Sequence, residues 1–169
     1  MKKWHIKGVK TCMEKLLISD TFDDLWLEQA QITMKNTISI DGHFQKKFYT
    51  EEELEEQNAR SKRFLLWKEM KSFCFGVIKG SRTPYSMKIE FLLPEESYEE
   101  LLRKSGTREL RPPDLSNCFM RFLFQEQKLY MLSGISLKLF SMDKSVEQEW
   151  DSWAEEYLKK NGIDYEEEE

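Results

Sequence analysis

Between Trp26 and Ile40 the even positions are apolar at 26, 30, 32, 34, 38 and 40, with Glu28 and Asn36 the exceptions. From Tyr85 the same rhythm returns: Tyr85, Met87, Ile89, Phe91 and Leu93 alternate with Ser86, Lys88 and Glu90. A period of two puts all the apolar side chains of a strand on one face. Such strands cannot stand alone, because the apolar face must be buried against another layer. Fifteen residues from Trp26 is long for one strand, so a turn near Lys35-Asn36 is expected. The nearly unbroken apolar run Cys118 to Phe124 suits a central strand, and Glu126-Gln127 turns it back into Leu129 to Leu132. Ile135, Leu137 and Leu139 alternate once more. Trp4 to Lys7 reads as a short strand at the start. Asp41-Gly42 is the strongest hairpin signal in the chain, with His43 to Tyr49 as the strand that follows it.

The second layer is helical. Val9 to Ile18 carries apolar residues at 9, 12, 13, 16 and 17, the spacing of an amphipathic helix. Trp67, Met70, Cys74, Val77 and Ile78 recur likewise, giving a helix over Lys68 to Lys79 with Gly80 at its end. Thr50 caps a short acidic stretch to Glu56. Pro94-Glu95-Glu96 opens a further helix whose buried stripe is Tyr98, Leu101 and Leu102, and Gly106 stops it. The clearest helix begins at Ser145, which has capping-box spacing to Gln148. Val146, Trp150, Trp153, Ala154, Tyr157 and Leu158 lie on one of its faces, and Asn161-Gly162 closes it. The fold class is therefore α+β: a mainly antiparallel sheet packed by helices, with a C-terminal amphipathic helix. One domain over residues 1–162 accommodates it, and the acidic tail 163–169 is expected to be disordered.

The element order also allows two copies of a strand–helix–three-strand unit, over 4–49 and 85–141. A shift of 85 places Ile6, Met13, Leu16 and Leu17 on Phe91, Tyr98, Leu101 and Leu102. A shift of 97 places Ile38-Ser39-Ile40 on Ile135-Ser136-Leu137. As topology this duplication resembles the half-and-half construction of a DNA sliding-clamp domain. The helix after Pro94 exposes Glu95, Glu96, Glu99 and Glu100 against Arg103 and Lys104, opposite in sign to a helix that faces DNA.

Charge is unevenly placed. From Ser145 onward ten acids face only Lys159 and Lys160, while Ala59 to Lys88 holds eight cations against Glu69 alone. Catalytic patterns are not visible. The chain has two histidines, His5 and His43, without a partner set, and no G-x-S-x-G elbow. No stretch has the glycines of a phosphate-binding loop, so no nucleotide cofactor is implied. Cys12, Cys74 and Cys118 lie far apart among apolar neighbours, which suits small buried hydrophobes and neither a disulfide framework nor a metal site. The N-terminus lacks the apolar core of a signal peptide, and no run approaches a membrane span. A cytoplasmic location without membrane contact is expected.

In the loop Lys79-Gly80-Ser81-Arg82-Thr83-Pro84, turn mechanics account for Gly80 and Pro84, and the negative end of the helix dipole for Lys79. Arg82 has no local role. Lys138 and Lys144 form a second basic set, with Asp143 placed to cap the last helix. Lys79, Arg82, Lys138 and Lys144 are thus the candidate anion or nucleic-acid contacts. The leading reading is a non-enzymatic binding or assembly module whose partner is itself or another protein. One alternative is nucleic-acid association through residues 60–88. Another is an enzyme or small-ligand site assembled from residues distant in sequence.

Three strings, FDDLWLEQAQITMKNTISIDG, WKEMKSFCFGVIKGSRTP and GISLKLFSMDKSVEQEWD, together resemble a small domain-of-unknown-function family of anaerobic Gram-positive (clostridial) bacteria. The resemblance runs from about Ile6 to Gly162. It implies a single cytoplasmic bacterial domain and supplies no catalytic residue.

Overall fold

A computed structural model describes residues 1–80 and 82–169. In chain order the elements are β1 (Lys2–Ile6), α1 (Val9–Leu17), β2 (Trp26–Thr33), β3 (Thr37–Asp41), α2 (Glu51–Glu56), α3 (Trp67–Ile78), β4 (Ser86–Leu92), α4 (Tyr98–Ser105), β5 (Leu115–Gln125), β6 (Lys128–Leu137), α5 (Ser145–Lys160) and β7 (Tyr165–Glu168). The strands form one seven-stranded sheet in the order β3-β2-β4-β5-β6-β1-β7. Every pairing in it is antiparallel.

The register explains the core. Ile38, Ile32, Met87, Phe124, Leu129 and Ile6 are successive cross-strand partners, and Ile40, Ala30, Ile89, Phe122, Met131 and Trp4 form the next row. From β2 to β1 both rows are buried. Period two in each strand has thus become continuous apolar rows across the sheet. The helices cover this face. The α3 helix packs on α1 and β2, and α5 packs on α4 and β6. Two buried indoles tie the layers through hydrogen bonds of their ring N–H groups. Trp67 Nε1 donates to the Leu16 carbonyl at 2.7 Å, and Trp150 Nε1 to the Phe119 carbonyl at 3.0 Å. Trp153 stacks between Trp150 and Tyr157, at 4.8 and 4.9 Å between ring centroids.

Several sequence expectations are corrected. Asp41-Gly42 does not turn a hairpin. Gly42 N donates to the Glu28 carbonyl, and its own carbonyl accepts from Leu65 N at 2.7 Å. A Cβ at Gly42 would lie 1.9 Å from the Leu27 carbonyl oxygen. Glycine is there because two backbones meet, and the expected strand His43 to Tyr49 is one bridge to Phe64 followed by a 3-10 turn at Lys46–Phe48. The tight turn lies instead at Glu126-Gln127, where φ is 50° and 65°. Positive φ at both central residues is the geometry that a two-residue hairpin demands. The tail expected to be disordered contains β7, held on β1 by Lys2–Glu167, Lys3–Glu168 and Lys7–Glu166 pairs at 2.7, 2.8 and 2.7 Å. Opposite charges across neighbouring strands order a segment too polar to pack by itself. Ser145 does not cap α5: Asp143 accepts the Ser145 N–H at 2.9 Å, and the Ser145 hydroxyl is buried without a partner. The two candidate repeats also pair differently. In one, β4 lies beside β5, whereas β1 lies four strands from β2.

Two variants test this account. Gly42→Ala drives a side chain into the Leu27 backbone and is expected to cost about 3 kcal/mol or more in urea unfolding. A loss below about 1 kcal/mol would contradict the close approach. Glu126→Asn with Gln127→Gly relieves left-handed strain at two ordinary residues and should add about 1 kcal/mol, or about 2–4 °C in Tm. An unchanged Tm would mean that the turn carries no such strain.

Candidate functional site

At one end of the sheet the chain reverses at three places that lie together. The α3 helix ends at Ile78, and Gly80 takes the left-handed conformation that stops it, with φ 74°. The segment Arg82-Thr83-Pro84 then leads into β4, and Tyr85 N donates to the Thr33 carbonyl at 2.9 Å, which fixes the loop against β2. Beside it is the β2–β3 turn, closed by Met34 N to the Asn36 carbonyl at 2.9 Å. The β5–β6 turn at Glu126-Gln127 completes the rim.

These pieces enclose a cleft of about 950 Å³. Its apolar wall is Met34, Ile38, Val77, Pro84 and Tyr85, and its charged groups are Lys35, Arg82 and Glu126. Neither Lys35 nor Arg82 forms an ion pair among the described residues. Arg82, which had no role in the turn, lines this cleft together with Gly80. Lys79 is exposed next to them. Ser81, which belongs to the same candidate loop, lies outside the described residues.

The other two candidate cations are elsewhere. Lys138 follows β6, with its N–H on the Asp114 carbonyl at 2.8 Å. Ten strand residues separate it from the β5–β6 turn, about 30 Å along the strand. Lys144 pairs with Glu147 at 3.4 Å. Between them Leu139, Phe140 and Met142 are exposed, in a loop fastened by Ser141 to Glu109 and by Thr107 to Asp143. Lys79 and Arg82 therefore share one end of the sheet, and Lys138 and Lys144 lie beyond the other.

Most cations of the basic stretch 60–88 are paired with neighbouring acids. Arg60 meets Glu51 and Glu55, Lys62 meets Glu69, and Arg63 meets Glu95. Lys68 meets Asp24, and Lys71 meets Asp23. Lys79, Arg82 and Lys88 are its members without an ion pair among the described residues. Sequence reasoning missed Met34, Lys35, Ile38 and Val77 as site residues. Each had a complete local explanation as turn, strand or helix, and the one available signal was Tyr85, a large aromatic at the exposed head of an alternating strand.

Reactive groups lie apart from the cleft. Burial pushes the thiols of Cys12 and Cys118 up to about 12 and that of Cys74 up to about 11, so they stay protonated near neutral pH. His5 packs against Tyr130, with 5.1 Å between ring centroids. His43 Nε2 lies 3.0 Å from Glu28 Oε1, at the other end of β2 from the cleft. Asp151, on α5, is buried and accepts a hydrogen bond from the buried Ser133 hydroxyl. Among the described residues no cluster of His, Cys, Asp and Glu could hold a metal ion, and no helix is long and apolar enough to cross a membrane.

The fold and cleft define an antiparallel α+β protein with one helix-covered sheet face and an apolar recess with cations at its rim. The chain belongs to a family of unknown function (DUF5721), which matches residues 15–166. No curated protein and no solved structure matches it.

Asp151 offers a check on the electrostatics. Burial raises its carboxyl above the usual range, and the Ser133 hydrogen bond and the nearby Met1 amine oppose this only in part. A carboxyl that holds its proton more tightly when folded stabilises the protein once protonated in acid, and that contribution is lost as pH rises through its folded pKa. Asp151→Asn is therefore expected to raise Tm at pH 7, with the gain shrinking as pH falls through the raised folded pKa and gone below about pH 4. A lower Tm at pH 7 would show that the charge is needed where it lies.

Proposed function

We propose that this protein is a non-enzymatic binding module whose ligand is a small amphipathic anion, held in the cleft at the end of the sheet. The observation that carries the reading is the meeting of Lys35 and Arg82, which form no ion pair among the described residues, with the apolar wall of Met34, Ile38, Val77 and Tyr85. Small-ligand sites are clefts of about 300–1,000 Å³, mostly apolar, with a few polar groups that orient the ligand. An apolar body would lie against Val77 and Ile38. Its carboxylate would take the Arg82 guanidinium, which can donate two parallel hydrogen bonds, with Lys35 adding charge across the mouth. The described residues of the cleft include no Ser, Cys or His, which favours holding a ligand over transforming it. The position of Arg82 supports this reading, since the turn itself does not require it.

Calorimetric titration with decanoate and decanol is the test. Decanoate should bind saturably, and decanol about tenfold more weakly. Arg82→Ala should reduce decanoate affinity about tenfold and leave decanol unaffected, the scale of one charge-assisted hydrogen bond. Val77→Trp should fill the recess and weaken both. Absence of saturable decanoate binding, or equal affinity in Arg82→Ala, would refute the assignment.

A further inference from the structure

The two edges of the sheet are treated differently. The β7 edge carries Glu166, Glu167 and Glu168, so two such edges repel each other. The β3 edge reads Thr37-Ile38-Ser39-Ile40-Asp41, with no proline, no bulge and one charge at its end. It pairs with β2 alone. Gly42 N donates to the Glu28 carbonyl and Met34 N to the Asn36 carbonyl. Since ladder bonds alternate, the even residues of β3 bond to β2, and Thr37, Ser39 and Asp41 turn their peptide groups outward. A bare edge rich in β-branched residues, with a charge only at its end, is a template for a further strand.

The buried rows show what that strand looks like. Both rows run across the sheet and end at β3, on Ile38 and Ile40, which are half-buried where their counterparts in β2, Ile32 and Ala30, are buried. The strand that extends the rows must be apolar at alternate positions. β3 itself meets this requirement. If two copies of β3 pair antiparallel about a two-fold axis through Ser39, Ile38 of one copy lies opposite Ile40 of the other, and each row continues into the partner. Thr37 then faces Asp41 of the second copy.

We propose that this chain forms a two-fold dimer by pairing β3 with β3 of a second copy, making one continuous sheet through both. The interface does not depend on the ligand reading. It lies beside the cleft, because Ile38 belongs to both. Five residues of strand pairing make a small interface, so the dimer is in equilibrium with monomer, with Kd on the order of 1–100 μM.

Sedimentation velocity of the full chain from about 5 to 500 μM is the experiment. The wild type should shift from monomer to dimer across this range. Ser39→Lys sets two like charges opposite each other at the axis and should leave only monomer. Its melting curve should match the wild type at low concentration, since Ser39 is exposed. A wild type that is monomeric at 500 μM overturns the proposal. So does a dimer that persists unchanged in Ser39→Lys, because two copies then meet elsewhere.

Discussion

The structure depends on an aromatic node between the two layers. Phe91 of β4 meets Trp67 of α3 edge-on, with centroids 5.2 Å apart, and stacks on Phe22 at 5.4 Å. Phe122 of β5 meets Phe22 edge-on at 5.2 Å. Trp67, Phe22, Phe91 and Phe122 are all fully buried. Each ring removes about 150–250 Å² from water, and the geometry adds about 0.5–1.5 kcal/mol per pair. The node fixes the position of α3 over β2 and β4. The Trp67 indole hydrogen bond then fixes α1 against α3.

That placement decides where the surface is open. The α3 helix stops at Ile78 because the chain must return to start β4 beside β2, and Gly80 makes the stop. The helix starts beside the Trp26 end of β2, where Trp67 N donates to the Leu25 carbonyl at 2.9 Å, and Val77 near its other end lines the cleft beside the β2–β3 turn. The recess there follows from covering a sheet with a helix shorter than the ground it must span. The open face of the sheet follows the same logic. There Arg121 pairs with Glu90 and lies over Phe119, and Lys3 lies over Tyr130. Long side chains shield the aromatic rings that no helix covers.

Much of this was legible in the sequence, and the misses have physical causes. The alternation in β4 and the apolar run in β5 reported burial, which is a periodic property of a strand and survives without knowledge of its neighbours. The stripe of α5 and the stop at Gly80 were local in the same way. Gly42 misled because glycine serves both a turn and a close approach of two backbones, and only the second chain segment, at Leu65, distinguishes them. Glu126-Gln127 reads as a turn from its place between two runs, although its left-handed pair is imposed by the long strands on either side. The acidic tail reads as disordered because its partners, Lys2, Lys3 and Lys7, lie at the other end of the chain. Of the candidate cations, the structure brings Lys79 and Arg82 to one end of the sheet and sets Lys138 and Lys144 beyond the other, which distance in sequence does not report.

The class of the fold, the sites of most elements and the buried face of each follow from side-chain period and from residues within one turn of each other, so they can be read off the chain alone. Tertiary structure alone decided the order of strands, the fate of the acidic tail and the meeting of Lys35, Arg82 and Val77 at one cleft. These depend on which distant segments lie side by side, and that choice is made by the packing of the whole core.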